Sequence, residues 1–178
     1  HYPRVADRYH LTACGSSMGN GYGPKLVARS PDSLIGGDGS PPPRIAIPGV
    51  RTTASLVLSM MLGPDSFEAV EVPFKEIPDR VMAGEVDAGV VIHEGQLTFQ
   101  QVGLVLIRDL GEWWTSRTEL PLPLGVNAVR RDLDETYGPG TLSEVTRMLE
   151  RSIAHALANR DEAIVHALAH AGGMESKL

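Results

Sequence analysis

His93 is the residue of this chain best placed for acid–base chemistry. It ends the run Asp87-Ala-Gly-Val-Val-Ile-His93, whose consecutive apolar residues predict an interior strand buried on both faces. In open α/β sheets, ligands bind just beyond the carboxyl ends of such strands. Because an imidazole exchanges protons near neutral pH, His93 is a candidate general base. The alternative is a histidine whose hydrogen bonds serve the structure alone.

The residues after His93 bear on two further questions: whether His93 binds a metal ion and whether Glu94 assists it. The segment His93-Glu-Gly-Gln-Leu97 lacks the second histidine of a zinc-binding helix, which argues against a metal role. Glu94 could orient the imidazole or form part of a crevice wall. Adjacent residues of a strand point to opposite sides, so the two side chains could pair only if the chain bends between them.

A second candidate group is the pair Thr52-Thr53, which follows a strand and a Pro-Gly turn. The pair is expected to start a helix that continues to Leu62. Free backbone N–H groups at a helix start attract anions, and threonine hydroxyls add donors, so a substrate carboxylate would suit this position. The alternative is that both threonines merely cap the helix. Trp113 and Trp114 likewise could stack on a ligand or pack between elements.

The elements that must position these residues alternate along the chain. Apolar patterns predict strands at 44–47, 70–72, 87–93 and 104–107, and helices at 52–62 and 77–83. This order is typical of a parallel sheet covered by helices. A helix is expected from Thr141 to about Ala158 and a second one after a break at Asn159, so the sequence predicts an α/β protein.

Composition excludes several classes of function. A net charge of −6 over 178 residues argues against a general nucleic-acid binder, and no apolar run reaches the length of a membrane helix. Cys14 is the only cysteine, so no intrachain disulfide is possible. No signal peptide is visible, and we expect a cytoplasmic protein that acts on a small molecule.

Four stretches together resemble the 1,4-dihydroxy-6-naphthoate synthase family of the futalosine route to menaquinone. They are Arg44-Ile-Ala-Ile-Pro-Gly-Val-Arg-Thr-Thr-Ala54, Gly84-Glu-Val-Asp-Ala-Gly-Val-Val-Ile-His-Glu-Gly-Gln-Leu-Thr98, Asp109-Leu-Gly-Glu-Trp-Trp114 and Leu120-Pro-Leu-Pro-Leu-Gly125. The resemblance implies a two-lobed, periplasmic-binding-protein-like (type II) fold. It places residues 1–30 in lobe 1, 31–120 in lobe 2, and 121–178 back in lobe 1.

The resemblance also implies an activity and a set of site residues. The family reaction converts cyclic dehypoxanthinyl futalosine to 1,4-dihydroxy-6-naphthoate, a carbon–carbon lyase step with no known cofactor and no metal. His93 matches the family's general base, and Thr53 and Ala54 match positions that hold the ligand through the helix start. Ile92, Glu94 and Leu124 match the cleft wall. Removing a proton while an aromatic ring forms is work that a neutral imidazole can do.

The chain departs from the family pattern in two ways. Glu119 stands where family members usually have glycine before the Leu-Pro-Leu-Pro-Leu-Gly run. The family also begins with a further part of the first lobe, including a cleft-facing strand end that is absent here. We therefore expect an internal fragment with an incomplete first lobe, inactive if these 178 residues were the entire protein.

Two rival functions remain open from the sequence. The first is chorismate dehydratase, a sister enzyme of the same pathway and fold. The second is a solute-binding protein that captures a small carboxylate without catalysis, which would have no need of a base at His93.

Overall fold

The computed structural model describes residues 2–34 and 40–170 of the chain. The chain folds into two compact units. Met18–Leu124 form one, which we name the central unit; His1–Ser17 and Gly125–Leu178 form the other, the terminal unit. These boundaries differ from the predicted lobe boundaries at 30/31 and 120/121, and the lobe assignment stays a prediction.

The strands and helices follow one another in mixed order. The strands are β1 Tyr9–Leu11, β2 Ser17–Gly19, β3 Lys25–Ala28, β4 Arg44–Ile47, β5 Glu68–Glu71, β6 Ala88–Val91, β7 Val105–Asp109, β8 Leu122–Gly125 and β9 Ala128–Arg130. The helices are α1 Thr53–Leu62, α2 Ile77–Met82, α3 Gly95–Thr98, α4 Leu110–Thr118, α5 Leu133–Tyr137, α6 Thr141–Ala158 and α7 Arg160–Leu168. Short 3-10 turns lie at Tyr2–Arg4, Pro31–Leu34 and Phe99–Val102.

A five-stranded sheet with the order β5-β4-β6-β3-β7 forms the centre of the central unit. Strand β4 pairs in parallel with β5 and β6, as the alternation of strands and helices predicts. The sheet is nevertheless mixed, because β3 runs antiparallel to both β6 and β7. The expectation of a parallel sheet is thus correct for β5, β4 and β6. Strand β3 precedes the alternating segment, so the pattern could not show its direction.

The inner strands β4, β6 and β3 are buried on both faces of the sheet, which explains their continuous apolar runs. Ile45 and Val90 belong to a cluster on one face with α1, and Ala46 and Val91 belong to a cluster on the other face with α2. At Gly89, an added Cβ would lie 2.4 Å from the Ile77 side chain. Glycine at this position lets α2 pack directly on β6.

The terminal unit combines a two-stranded sheet with helices. Strands β1 and β9 are antiparallel, with His10 opposite Val129. Helix α6 spans 18 residues, as predicted, and α7 follows it. In the described part of this unit, no residue is fully buried. No helix among the described residues is both long and apolar enough to span a membrane.

Candidate functional site at the carboxyl edge of the sheet

The predicted site residues at 52–54 and 92–94 lie at one edge of the central sheet, just beyond β4 and β6, whereas Leu124 lies on β8, outside that sheet. Residue pairing places Ile47 beside Glu71, and Val91 beside Lys25, which in turn faces Asp109. The carboxyl ends of β4, β5, β6 and β7 therefore meet at the edge where β3 begins. Since β4 and β6 are neighbouring strands, the segments that follow them are neighbours too.

His93 lies in the turn just beyond β6 rather than inside the strand. The strand ends at Val91, two residues earlier than predicted, because the backbone turns: His93 has a φ of 51°, in the left-handed region that few non-glycine residues adopt. Its side chain is exposed, and its ring meets Phe74 edge-on at a centroid distance of 5.1 Å. No hydrogen bond reaches the imidazole from residues 2–34 or 40–170, so both ring nitrogens are open to a ligand.

Gln96 holds the backbone of His93 from two sides. Its backbone N–H donates to His93 O at 3.2 Å. With the side-chain amide in the orientation that satisfies both neighbours, Gln96 Oε1 accepts from His93 N at 3.1 Å and Nε2 donates to Gly23 O. Sequence reasoning did not single out Gln96, because a glutamine after a predicted strand end carries no chemical signature of its own.

The start of α1 separates the roles of the two threonines. Thr52 is the N-cap: its hydroxyl accepts from Ser55 N at 3.2 Å and donates to Gly49 O at 2.8 Å. Thr53 is the first helical residue. Within the part of the chain that the structure describes, neither its hydroxyl nor the N–H groups of Thr53 and Ala54 have a hydrogen-bond partner. The donors open to an anion are therefore those of Thr53 and Ala54.

The other predicted wall residues pack on the core of the sheet. Ala54 is buried, and the group that it could offer a ligand is its backbone N–H, which has no hydrogen-bond partner among the described residues. Ile92 and Leu124 are partly buried against the same cluster as α1, and so are Trp113 and Trp114. The tryptophans thus pack between elements, the alternative that the sequence left open beside stacking on a ligand.

Glu94 does not orient the imidazole in this structure. The chain does bend at His93, which was the condition for the two side chains to pair. Yet among the described residues the carboxylate makes no hydrogen bond, and Glu94 engages α3 only through its backbone carbonyl, which accepts from Leu97 N and Thr98 N. A place in the crevice wall, the other role that the sequence left open for Glu94, stays a prediction.

The model of the menaquinone biosynthesis family matches residues 1–178. The chain belongs to this family. It is 42% identical over 170 residues to the 1,4-dihydroxy-6-naphthoate synthase of Thermus thermophilus, covering 96% of this chain and 58% of the relative. It is 33% identical over 177 residues to the synthase of the same name from Streptomyces coelicolor, covering 97% of this chain and 60% of that one. The chain thus spans about three-fifths of the length of these curated relatives.

Solved structures show the same fold. A crystal structure of an Archaeoglobus fulgidus protein superposes with a TM-score of 0.82 at 44% identity, covering 98% of this chain and 61% of that one. The alkanesulfonate-binding protein of Xanthomonas axonopodis, bound to MOPS, gives a TM-score of 0.59 at 16% identity, covering 98% and 58%. The fold of this family member is therefore α/β and periplasmic-binding-protein-like, as predicted.

The structure also shows an ion pair at this edge of the sheet that the sequence did not predict. Lys25 Nζ lies 2.5 Å from Asp109 Oδ2, and Asp109 is 2% exposed. Asp109 Oδ1 also caps α4 by accepting from Gly111 N and Glu112 N. The pairing joins the start of β3 to the end of β7. Motif reasoning could not find this pair because the two residues lie 84 positions apart in the sequence.

A hollow of about 500 Å³ lies in the terminal unit and contains none of the predicted site residues. Three arginines and three acidic residues line it, so its charges are mixed. Two of the six, Arg130 and Asp132, pair with each other. Among the described residues, no three His, Cys, Asp or Glu side chains are close enough to share a metal ion.

Proposed function

We propose that this chain is part of a cytoplasmic lyase that converts cyclic dehypoxanthinyl futalosine to 1,4-dihydroxy-6-naphthoate, with His93 as the general base. The observation that carries the proposal is the placement of His93. Its exposed imidazole, free of hydrogen bonds to the described residues, follows a buried strand at the carboxyl edge of the sheet. That edge is where open α/β sheets bind ligands.

A general base must reach its substrate and be free to accept a proton. The His93 ring contacts Phe74 only through an aromatic edge, which leaves the nitrogens available. The backbone of the turn holds the ring at the edge, and among the described residues no donor or acceptor competes for the nitrogens. Proton transfer from a substrate carbon to this imidazole is therefore the chemistry that the site supports best.

The start of α1 supports a carboxylate on the substrate. The free N–H groups of Thr53 and Ala54 and the Thr53 hydroxyl lie at the positive end of a ten-residue helix. Thr52 keeps that end rigid as its cap, so its contribution to the ligand is indirect. Ile92, Glu94 and Leu124 complete the proposed wall.

The family supports the specific reaction. Both curated relatives carry the name 1,4-dihydroxy-6-naphthoate synthase, which favours this activity over chorismate dehydratase. The likeness to a solute-binding protein concerns the fold alone. A binder that performs no chemistry would tolerate the loss of His93, which gives a direct test.

The test is a His93→Ala variant of the full-length protein. We expect turnover of cyclic dehypoxanthinyl futalosine to fall by about 100-fold or more, because general base catalysis contributes about 10²–10⁴-fold. Ligand affinity, measured by calorimetry, should stay within a few-fold of the wild type. His10→Ala, an exposed histidine on β1, is the matched control. Unchanged turnover in His93→Ala would exclude the catalytic role.

A further inference from the structure

We propose that Gln96 is the positioning residue for His93, an inference that rests on the proposed function of His93 as the base. The starting point is the backbone at His93, where φ is 51°. L residues rarely adopt this conformation, and it persists at functional positions where the surrounding structure holds it. A neighbouring group must therefore stabilise the left-handed backbone of His93.

Gln96 supplies contacts to both ends of the His93 residue. Its backbone N–H binds His93 O, and its side-chain Oε1 accepts from His93 N. In the opposite amide orientation, Oε1 would face the Gly23 carbonyl and Nε2 would face the His93 N–H, leaving two like groups in contact. The chemistry of the neighbours thus selects the orientation in which Gln96 bridges Gly23 and His93.

The far end of the bridge is anchored in rigid backbone. An added Cβ at Gly23 would lie 2.9 Å from the Gly111 backbone. The two backbone segments are thus in direct contact, with no side chain between them. Pro24 O accepts from Leu110 N at 2.9 Å. The buried cap Asp109 and its partner Lys25 fix the same start of α4. Gln96 therefore ties His93 to a backbone segment that close packing, a hydrogen bond and an ion pair hold in place.

This arrangement gives the glutamine a task distinct from substrate contact. Without its amide, the His93 N–H loses its acceptor and the turn is free to relax toward ordinary backbone angles. The imidazole would then move relative to Phe74 and to the substrate. Misplacing a reacting group by about 1 Å costs roughly 100-fold in rate, so the effect should appear in kcat rather than in KM.

The experiment compares Gln96→Met with Gln101→Met in the full-length protein. Both changes replace glutamine by a side chain of similar size, and Gln101 is an exposed residue of the following 3-10 turn with no side-chain hydrogen bond to the described residues. For Gln96→Met we expect faster hydrogen exchange at the His93 amide, a displaced imidazole resonance as the ring leaves Phe74, and a kcat lowered by about 10- to 100-fold. The KM and the melting temperature should change little, and Gln101→Met should match the wild type throughout.

Each result decides the proposal. If the His93 amide and ring resonances of Gln96→Met stay as in the wild type, or if they move while kcat does not, Gln96 does not position the base. If Gln96→Met fails to fold, Gln96→Ala removes the same amide with a good helix former and carries the same expectations. If the wild type shows no turnover but the His93 resonances respond to Gln96 alone, the proposed reaction fails while the structural coupling stands.

Discussion

The central and terminal units differ in how their apolar residues are used. Within residues 2–34 and 40–170, every buried hydrophobic side chain lies between Leu26 and Leu122, in the central unit. In the described part of the terminal unit no side chain is fully buried, although α6 carries a stripe of partly buried apolar residues at 142, 145, 149 and 153. The amphipathic pattern thus defines α6 without a filled core beneath it, whereas among the described residues the buried core belongs to the central unit.

This difference explains where a precise site can be built. A catalytic group must be held within a fraction of an ångström, which requires supporting side chains locked by packing. His93, Gln96 and the start of α1 all follow strands whose residues are buried on both faces of the sheet. The strained turn at His93 is therefore supported by a filled core directly beneath it.

Removing core volume should produce the largest difference between the units. Leu26→Ala deletes a fully buried side chain at the centre of the sheet and should lower the free energy of unfolding by about 2–5 kcal/mol. Ile153→Ala deletes a partly exposed side chain of α6 and should cost about 1 kcal/mol or less. Urea unfolding of both variants measures the contrast.

The two tryptophans allow the units to be observed separately. Trp113 and Trp114 both lie in the central unit, so their fluorescence reports its unfolding, whereas far-UV circular dichroism also reports α6 and α7. Leu26→Ala should shift the fluorescence transition to lower urea. An equal loss of unfolding free energy, measured by circular dichroism for Ile153→Ala and by fluorescence for Leu26→Ala, would mean that the terminal unit is as tightly packed as the central one.

Within the central unit, neighbouring threonines should separate stability from binding. Thr52→Ala removes the cap of α1 and should cost about 1 kcal/mol of unfolding free energy. Thr53→Ala breaks no hydrogen bond to the described residues and should leave the urea midpoint nearly unchanged. It should instead weaken ligand binding by about 10-fold, the loss of one hydrogen bond to a charged group.

Thr53→Pro sharpens the same contrast. Proline is tolerated at the first helical position, where its missing N–H costs the helix no bond. The variant removes both the hydroxyl and an N–H from the proposed anion site, so calorimetry should show weaker binding than in Thr53→Ala. If ligand affinity is the same in both Thr53 variants and the wild type, the carboxylate does not bind at the start of α1.

The elements best predicted from the sequence are those that a local pattern of residues specifies. The strand 44–47 and the helix after Thr52 were predicted with their bounds because a buried run and a cap are local signals. A strand was expected at 24–29, but its antiparallel pairing was missed, as were the Lys25–Asp109 pair and the Gln96 bridge, because each joins distant segments. The left-handed turn at His93 was missed because a histidine in the sequence, unlike a glycine, does not indicate a positive φ.

The smallest expected effect belongs to the exposed ion pair of the terminal unit. The Arg130 guanidinium donates to both carboxylate oxygens of Asp132, and this hydrogen bonding lowers the pKa of Asp132 below its usual value. Arg130→Gln should therefore raise that pKa, as followed by carboxyl carbon shifts in an NMR titration. Arg151→Gln, on an exposed face of α6, is the control and should leave it unchanged.

The sign of the stability effect follows from the lowered pKa. A carboxyl group with a lower pKa in the folded state stabilises the fold above its unfolded pKa, and this contribution is lost as the pH falls through the folded value. Arg130→Gln should thus lower stability slightly at neutral pH and not at all in acid. Because both side chains are solvated, added salt should shrink the difference. A difference that persists in acid or in high salt would mean that Arg130 stabilises the terminal unit through packing rather than through its charge.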